Sequence, residues 1–408
     1  VPTGCWVLKP YTYILGGGIS LMTMTPETIE QLTAILANAN EGKQGVSWSG
    51  RSISAEELEI DGLLHLDLSR MNQIVKINSA ARYVVVESGV TWRQLSLYLK
   101  QFPSLRSVQV PSSMGKTVIA SCLSNAIHDS CTIYGTLGEW VNGMEVILAD
   151  GSVIQIGAQS LVKDSWFNIG PLPDLKGLLI QGGGWLGVVS KLSLKLLPCA
   201  QYEGESCLVL KNPEDCMKWI YCITHQEIAD YVHCFYHSEP NYLKKTYFIG
   251  VVLRANSKKE WEYKKQALAH LVQEERGVFY QETLPEAILY RACNMELLYK
   301  EPQELLYRLS PQNAVQAIIR LKDTLQQQKA PFVLDFSVVD HNHQSLIRIA
   351  WEGVSTTKEE MNLLVKQGLD SLIYTPWSSF GIPEKNRVLA ERIQDKFDPN
   401  GVLKRMYL

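Results

Sequence analysis

An α+β fold in two domains is what this chain predicts, and three observations carry that expectation. Its 408 residues exceed what a single hydrophobic core usually organises. Asp150-Gly151 stands between two β-rich runs, a hairpin signal and hence an antiparallel one. From about Cys199 the texture changes to strand-like pieces alternating with charged amphipathic helices, as in a second domain built on an antiparallel sheet. The expected first domain is 1–198, completed by 383–408, and the second is 199–382.

The elements follow in order. Thr25-Pro26-Glu27 reads as an N-cap, a first-turn proline and a first-turn acid, with Ile29, Leu32, Ile35 and Leu36 at helical spacing to about Asn40. Residues 45–49 read as a short strand entering a loop, residues 63–68 as the next strand, and residues 82–87, β-branched and closed by Ser88-Gly89, as another. Residues 92–100 return to helical spacing. Residues 144–149 and 152–156 flank the hairpin turn, and the glycine cluster at 182–187 feeds a strand over 188–194 that alternates from Leu192 onward. Beyond Pro198, strands are expected at 247–253, 332–338 and 346–350 and helices at 258–274, 313–328 and 357–367. A polar helix at 383–396 and a turn at Asp398-Pro399-Asn400-Gly401 close the chain.

Composition narrows the partners. A formal charge of −3 with no Lys/Arg block offers no basic face for nucleic acid or an anionic membrane, so small molecules are the expected partners. Nine cysteines without a CxxC pair argue against structural zinc and against a disulfide framework, and favour reduced thiols in the cytoplasm, with membrane association left open. No apolar run reaches the roughly 18 residues of a transmembrane segment. Residues 1–23 lack the basic start and long apolar stretch of a signal peptide. Asp340-His341-Asn342-His343, the densest polar cluster of the second half, reads as a solvated turn, and no metal site is expected.

The loop at 46–54 is the strongest local candidate for a site. One glycine, several small hydroxyl residues and Arg51 lie between a helix and a strand, so backbone N–H groups, hydroxyls and a guanidinium can converge on an anion.

Three features then fall in one order: Gly50-Arg51-Ser52-Ile53-Ser54, the segment Pro111-Ser112-Ser113, and the glycine cluster before Val188-Val189. That order resembles flavoproteins of the vanillyl-alcohol oxidase type, with a PCMH-type FAD-binding domain and a substrate-cap domain on an antiparallel sheet. Gly62-Leu63-Leu64-His65-Leu66-Asp67-Leu68, Val84-Val85-Val86-Glu87-Ser88-Gly89-Val90 and Leu148-Ala149-Asp150-Gly151 are similar to that family's lines. The resemblance covers about 25–198 and the tail at 397–402. Gly50-Arg51-Ser52, with Ile127-His128 before Gly135, is most similar in spelling to the decaprenylphosphoryl-ribose oxidase and aldonolactone oxidase branch.

The resemblance implies FAD and the oxidation of a CH–OH group in a small polar or sugar-like substrate, by hydride transfer to the flavin. It implies that Ser49, Gly50, Arg51 and Ser52 hold the pyrophosphate through backbone N–H and hydroxyl donors, with Trp48 and Ile53 also binding the cofactor. Pro111, Ser112, Ser113, Thr117, Ser121 and Asn125 would follow the ribityl chain and ring. Ile127, His128, Tyr134, Gly135, Gly184, Val188 and Val189 would complete the ring's surroundings. Many relatives attach the flavin to a histidine at the Ile53 position; isoleucine has no nucleophilic atom, so non-covalent FAD is expected. Ile119-Ala120 replaces a Gly-Gly pair, placing two side chains beside the expected cofactor path. His128 and Tyr374 are the catalytic candidates, although Tyr374-Thr375-Pro376-Trp377 lacks the Lys or His that aldonolactone oxidases carry there. The electron acceptor is open among oxygen, a quinone and a protein. The alternatives are a non-catalytic flavoprotein subunit of a multi-chain oxidase, or a degenerate member that no longer binds FAD.

Overall fold

A computed structural model of the chain describes residues 11–14, 20–50, 62–108, 115–128, 130–168, 173–238, 246–273, 279–281, 303–339, 344–352, 360–361, 371–373 and 384–404. Two large hydrophobic cores organise them. One draws on the first half and the carboxy-terminal segment, the other on the second half.

The first half opens with strands β1 (Tyr11–Ile14) and β2 (Ser20–Met24) and helix α1 (Ile29–Glu41). The helix begins later than the Thr25-Pro26-Glu27 signal predicts. Thr28 is its N-cap and accepts from Gln31 N at 3.3 Å, while Gln31 Oε1 takes the Glu27 N–H at 2.8 Å. That reciprocal cap outweighs the weaker Thr-Pro signal. Strands β3 (Val46–Ser49) and β4 (Leu64–Asp67) complete a sheet of order β1-β2-β4-β3, with β2 and β3 parallel to β4.

Strands β5 (Ile74–Asn78) and β6 (Tyr83–Glu87) begin a second sheet. Helix α2 (Trp92–Leu99), strand β7 (Leu105–Arg106) and helices α3 (Val118–Leu123) and α4 (Cys131–Tyr134) intervene before strands β8 (Val141–Ile147) and β9 (Val153–Ile156). Helix α5 (Lys176–Leu179) precedes β10 (Val188–Lys195), and β11 (Leu197–Pro198) pairs back on β7. The sheet is antiparallel with order β5-β6-β10-β8-β9. The hairpin at Asp150-Gly151 forms as expected. Gly151 takes φ +82°, and Asp150 Oδ1 accepts from Ser152 N and Oγ at 2.9 and 2.6 Å. Val84, Val86, Met144, Val146, Leu192 and Leu194 fill the core from one face. On the other face, away from that core, lies a cleft of about 720 Å³ lined by Lys76, Glu145, Gln155, Trp166 and Lys191.

The second half contributes β12 (Tyr202–Leu210), α6 (Pro213–His225), β13 (Tyr231–His237), β14 (Tyr247–Ala255), α7 (Lys258–Gln273), β15 (Phe279–Gln281), β16 (Gln303–Leu309), α8 (Pro311–Gln327), β17 (Phe332–Val339), β18 (Gln344–Trp351) and β19 (Ser371–Ile373). They form an antiparallel eight-stranded sheet of order β15-β12-β14-β13-β17-β18-β16-β19. Its two faces differ. Val232, Cys234, Tyr236, Ile249, Phe336 and Ile347 face the helices and build the second core. Tyr231, His233 and Phe235 share the opposite face with their register partners Val252, Gly250 and Phe248 on β14 and, for His233 and Phe235, Ser337 and Asp335 on β17.

Helix α9 (Glu384–Phe397) returns to the first core, where Ile393 and Phe397 pack. Asp398 accepts from Val402 N at 2.9 Å and Leu403 N at 2.7 Å, and Lys404 N donates to Val46 O at 2.9 Å. The tail is thereby fixed alongside β3. The expected helix at 357–367 lies almost wholly outside the described residues. Among the described residues no helix is long and apolar enough to cross a membrane.

Candidate active site

Strand β3 delivers Gly50 to a point where four distant segments meet. A Cβ on Gly50 would lie 2.4 Å from Ser88 O and 2.8 Å from Thr117 Oγ1, so only glycine fits between the end of β6 and the start of α3. Trp48 Nε1 donates to Gly184 O at 3.0 Å, and Gly184 takes φ +73° with a Cβ position only 2.8 Å from that same indole nitrogen. Ser88 Oγ donates to Val189 O and Ser88 N to Ser190 O, the latter at 3.1 Å. Trp48, Gly50, Thr117, Gly184 and Val189, anticipated from separate motifs, therefore form one neighbourhood of closely approaching backbone.

Their polar side chains hold that neighbourhood together. Ser47 Oγ and Ser49 Oγ lie 3.0 and 3.1 Å from Nδ1 and Nε2 of His65 across β3 and β4. Burial pushes the His65 pKa down to about 4 against the opposing influence of Asp67, so the ring is neutral and the two hydroxyls divide one donor and one acceptor between them. Ser121 Oγ accepts from Trp92 Nε1 at 2.9 Å and donates to Thr117 O at 3.0 Å, and Thr117 Oγ1 caps α3 through Ala120 N at 3.3 Å. Asn125, at φ +53°, accepts from Gly138 N at 2.8 Å. Ile119, expected beside the cofactor path, is instead buried in the first core on the inner face of α3, while Ala120 is half-buried.

His128 is fully buried, its ring edge-on to Trp140 at 5.3 Å. Its Nδ1 accepts from Ser130 N at 3.1 Å, which leaves the proton on Nε2, an atom without a hydrogen-bond partner among the described residues. Burial lowers its pKa to about 3; Gly135 opposes that through its backbone, and Arg106 and Arg254 reinforce it. His128 can thus donate a hydrogen bond through Nε2. Tyr134 is 42% exposed beside Trp140, and Gly135 takes φ +71°. Ile127 is half-buried, and Val188 and Val189 are buried in the first core.

Beyond His128 the chain meets the second half. Arg254 Nη1 donates to Ser130 Oγ at 3.1 Å and Nη2 pairs with Glu203 at 3.1 Å, while Val232 N donates to Thr132 Oγ1 at 3.1 Å. Cys131 packs with Tyr231, Val252, Val339 and Leu346. The face of the eight-stranded sheet that turns away from its helices therefore looks toward the segment that follows Asn125. Arg51, Ser52, Ile53, Pro111, Ser112, Ser113, Tyr374 and the cluster at 340–343 lie outside the described residues.

Residues 20–157 match the family model described as an FAD binding domain. The chain carries an FAD-binding domain of the PCMH type. Its residues fit such a cofactor: Gly50 and Gly184 allow close backbone approach, and the buried His128 carries an Nε2–H donor. Over 188 residues the chain is 31% identical to the 4-cresol dehydrogenase [hydroxylating] flavoprotein subunit of Pseudomonas putida, covering 43% of this chain and 34% of that one. Over 193 residues it is 26% identical to a D-lactate dehydrogenase of Anaerostipes hadrus, covering 46% and 38%. The matches span little more than a third of these relatives' lengths. The fold as a whole is similar to that of p-cresol methylhydroxylase with substrate bound, with a TM-score of 0.76 at 16% identity over 94% of this chain and 88% of the other.

Sequence reasoning missed the supports of the FAD-binding domain's cradle: His65, Ser88 and Trp92. Ser47 and Ser49 alternate on one strand and His65 interrupts an otherwise apolar one, a pattern that could have suggested a polar clamp.

Proposed function

We propose that the protein is an FAD-dependent oxidoreductase that oxidises a CH–OH group of a small polar or sugar-like substrate at the seam between the FAD-binding domain and the polar face of the eight-stranded sheet. The observation that carries this reading is the convergence of Trp48, Gly50, Ser88, Thr117 and Gly184 within the FAD-binding domain. FAD bound there would supply the hydride acceptor. The chain's own part is to hold it by closely approaching backbone around Gly50 and Gly184 and to present His128 Nε2–H as a donor. Residues 1–198 with 383–408 would act as the flavin domain and 199–382 as the cap. The flavin is held without a covalent bond at Ile53, and its electrons pass to oxygen, a quinone or a protein partner.

An absorption spectrum before and after acid precipitation tests the cofactor. The protein should be yellow, with the flavin released to the supernatant. Flavin in the pellet would overturn the non-covalent assignment, and a colourless protein that takes up no FAD would overturn the reading itself. Anaerobic addition of an aldono-1,4-lactone or D-lactate then tests the chemistry through bleaching of the flavin band. A second reading, a non-catalytic flavoprotein subunit, draws on the His128 geometry, which supplies no base. Bleaching that appears only with a co-purified partner chain would favour it.

A further inference from the structure

The polar face of the eight-stranded sheet carries one residue that the cradle does not use. His233 stands mid-strand on β13, is 4% exposed, and neither of its ring nitrogens has a hydrogen-bond partner among the described residues. Two dry, unpaired polar atoms are costly, and a phenyl ring would fill the same space without that cost. The surroundings are aromatic, with the ring of Tyr231 at 4.8 Å and that of Phe235 at 5.8 Å. Its cross-strand partner Ser337 is already engaged, donating to Val232 O at 2.5 Å. Burial is the main influence holding the ring neutral, with Asp335 opposing it and Arg348 reinforcing it. A neutral imidazole offers one N–H and one lone pair, matched to a hydroxyl. Arg348 and Asp335, the charged groups that act on the ring, pair with each other at 3.7 Å and offset one another there. Tyr231, two residues along the same face, packs in one cluster with Cys131 and Ile127 of the FAD-binding domain.

We propose that His233 is a substrate-contacting residue: one ring nitrogen takes a hydroxyl of the small molecule bound at the seam and selects a neutral hydroxyl compound over a hydroxy acid. The proposal rests on the oxidoreductase reading above, and its test separates the two. His233→Phe preserves the ring packing and removes both unpaired atoms, so its melting temperature should equal or exceed that of the parent. With the same variant, bleaching by an aldono-1,4-lactone should weaken about 10- to 100-fold, and His233→Gln, which restores one donor and one acceptor, should recover part of it. Independently of turnover, the His233 ring signal in ¹⁵N-histidine NMR of the flavin-loaded protein should shift on adding the lactone or 4-cresol and stay still with D-lactate.

Each outcome has a fixed meaning. Unaltered bleaching in His233→Phe overturns the proposal and leaves the oxidoreductase reading standing. A ring signal that moves without bleaching in any sample supports His233 as the contact and sinks the oxidoreductase reading. A ring signal unmoved by both neutral probes, or moved only by D-lactate, overturns the proposal.

Discussion

The cradle around Gly50 and the polar face of the eight-stranded sheet are built by opposite means. In the cradle the working surface is backbone. Gly50 and Gly184 bring main chains together, and the side chains of Ser47, Ser49, His65, Trp92 and Ser121 are used to brace them. On the sheet face the working surface is side chain, laid out by strand register: His233, Asp335 and Arg348 reach one surface because β13, β17 and β18 pair as they do. A backbone site tolerates no added atom, whereas a side-chain site tolerates shape-conserving changes and loses only specificity. That contrast can be broken experimentally.

The largest effect belongs to Gly50. Gly50→Ala places a Cβ 2.4 Å from the backbone oxygen of Ser88, which is itself fixed to Ser190, so the strand must move. A loss on the order of 3 kcal/mol and of bound flavin is expected, read by chemical denaturation and by the 450 nm region of the spectrum. Gly115→Ala is the control, because nothing lies within 4 Å of its Cβ position. If both variants keep stability and flavin alike, close backbone approach is not what the cradle depends on.

His65→Ala should come next. It leaves the buried hydroxyls of Ser47 and Ser49 without the imidazole between them, at a cost of about 2–3 kcal/mol. His65→Gln should retain more of the stability than alanine does, and equal losses in the two would count against the clamp.

The same histidines make the cradle acid-sensitive. The folded pKa values of His65 and His128 are lowered to about 4 and about 3. Between an unfolded value near 6.5 and those values, the unfolded chain binds protons that the folded one refuses. Their contribution is complete above about pH 6.5 and is lost as pH falls through 4 to 3. For His65 the loss amounts to about 3 kcal/mol at its fullest, at roughly 1.4 kcal/mol for each pH unit. Melting temperature should therefore drop steadily from pH 7 to pH 4, and a profile flat over that range would mean that neither ring is held neutral.

How far each region could be read from the sequence follows the same contrast. Gly50, Gly184 and the Asp150-Gly151 turn were legible because glycine at a close approach or a positive φ leaves a mark in the sequence itself. In the first half β3, β4, β6, β8, β9 and β10 were found to within about three residues for a similar reason, since runs such as Val84-Val85-Val86 carry the β signal locally, whereas β1, β2, β5, β7 and β11 were not found. Strand β13 was not found, because His233 and His237 interrupt the apolar pattern of Tyr231–His237 and both faces of the strand are buried. Helix α6 was overlooked although Asn212-Pro213-Glu214-Asp215 spells its start, with Asn212 Oδ1 accepting from Asp215 N at 2.8 Å. What no single segment could disclose is that His65 stands between Ser47 and Ser49, or that His233 and Cys131 look toward one seam. Those facts live in register and in tertiary contact.

The smallest expected effect concerns how firmly the two regions are joined. Arg254 spans the seam through Ser130, while Glu203 holds its other Nη and the Asp230 carboxylate receives its backbone N–H at 3.1 Å. Ser130→Ala deletes the hydroxyl that joins the start of α4 to Arg254 of β14 and leaves the Ser130 N–H on His128 Nδ1 untouched. Because Arg254 keeps its partners within the second half, the loss should be only about 0.5–1.5 kcal/mol. It should fall on the junction rather than on either core, so hydrogen exchange should quicken at α4 and at the start of β13, where Val232 N depends on Thr132. Exchange that quickens equally through β8 and β10 would mean that the halves unfold as one unit. Unchanged exchange at α4 would mean that apolar packing of Cys131 against Tyr231 and Val252, and not the guanidinium, fixes the sheet face over the cradle.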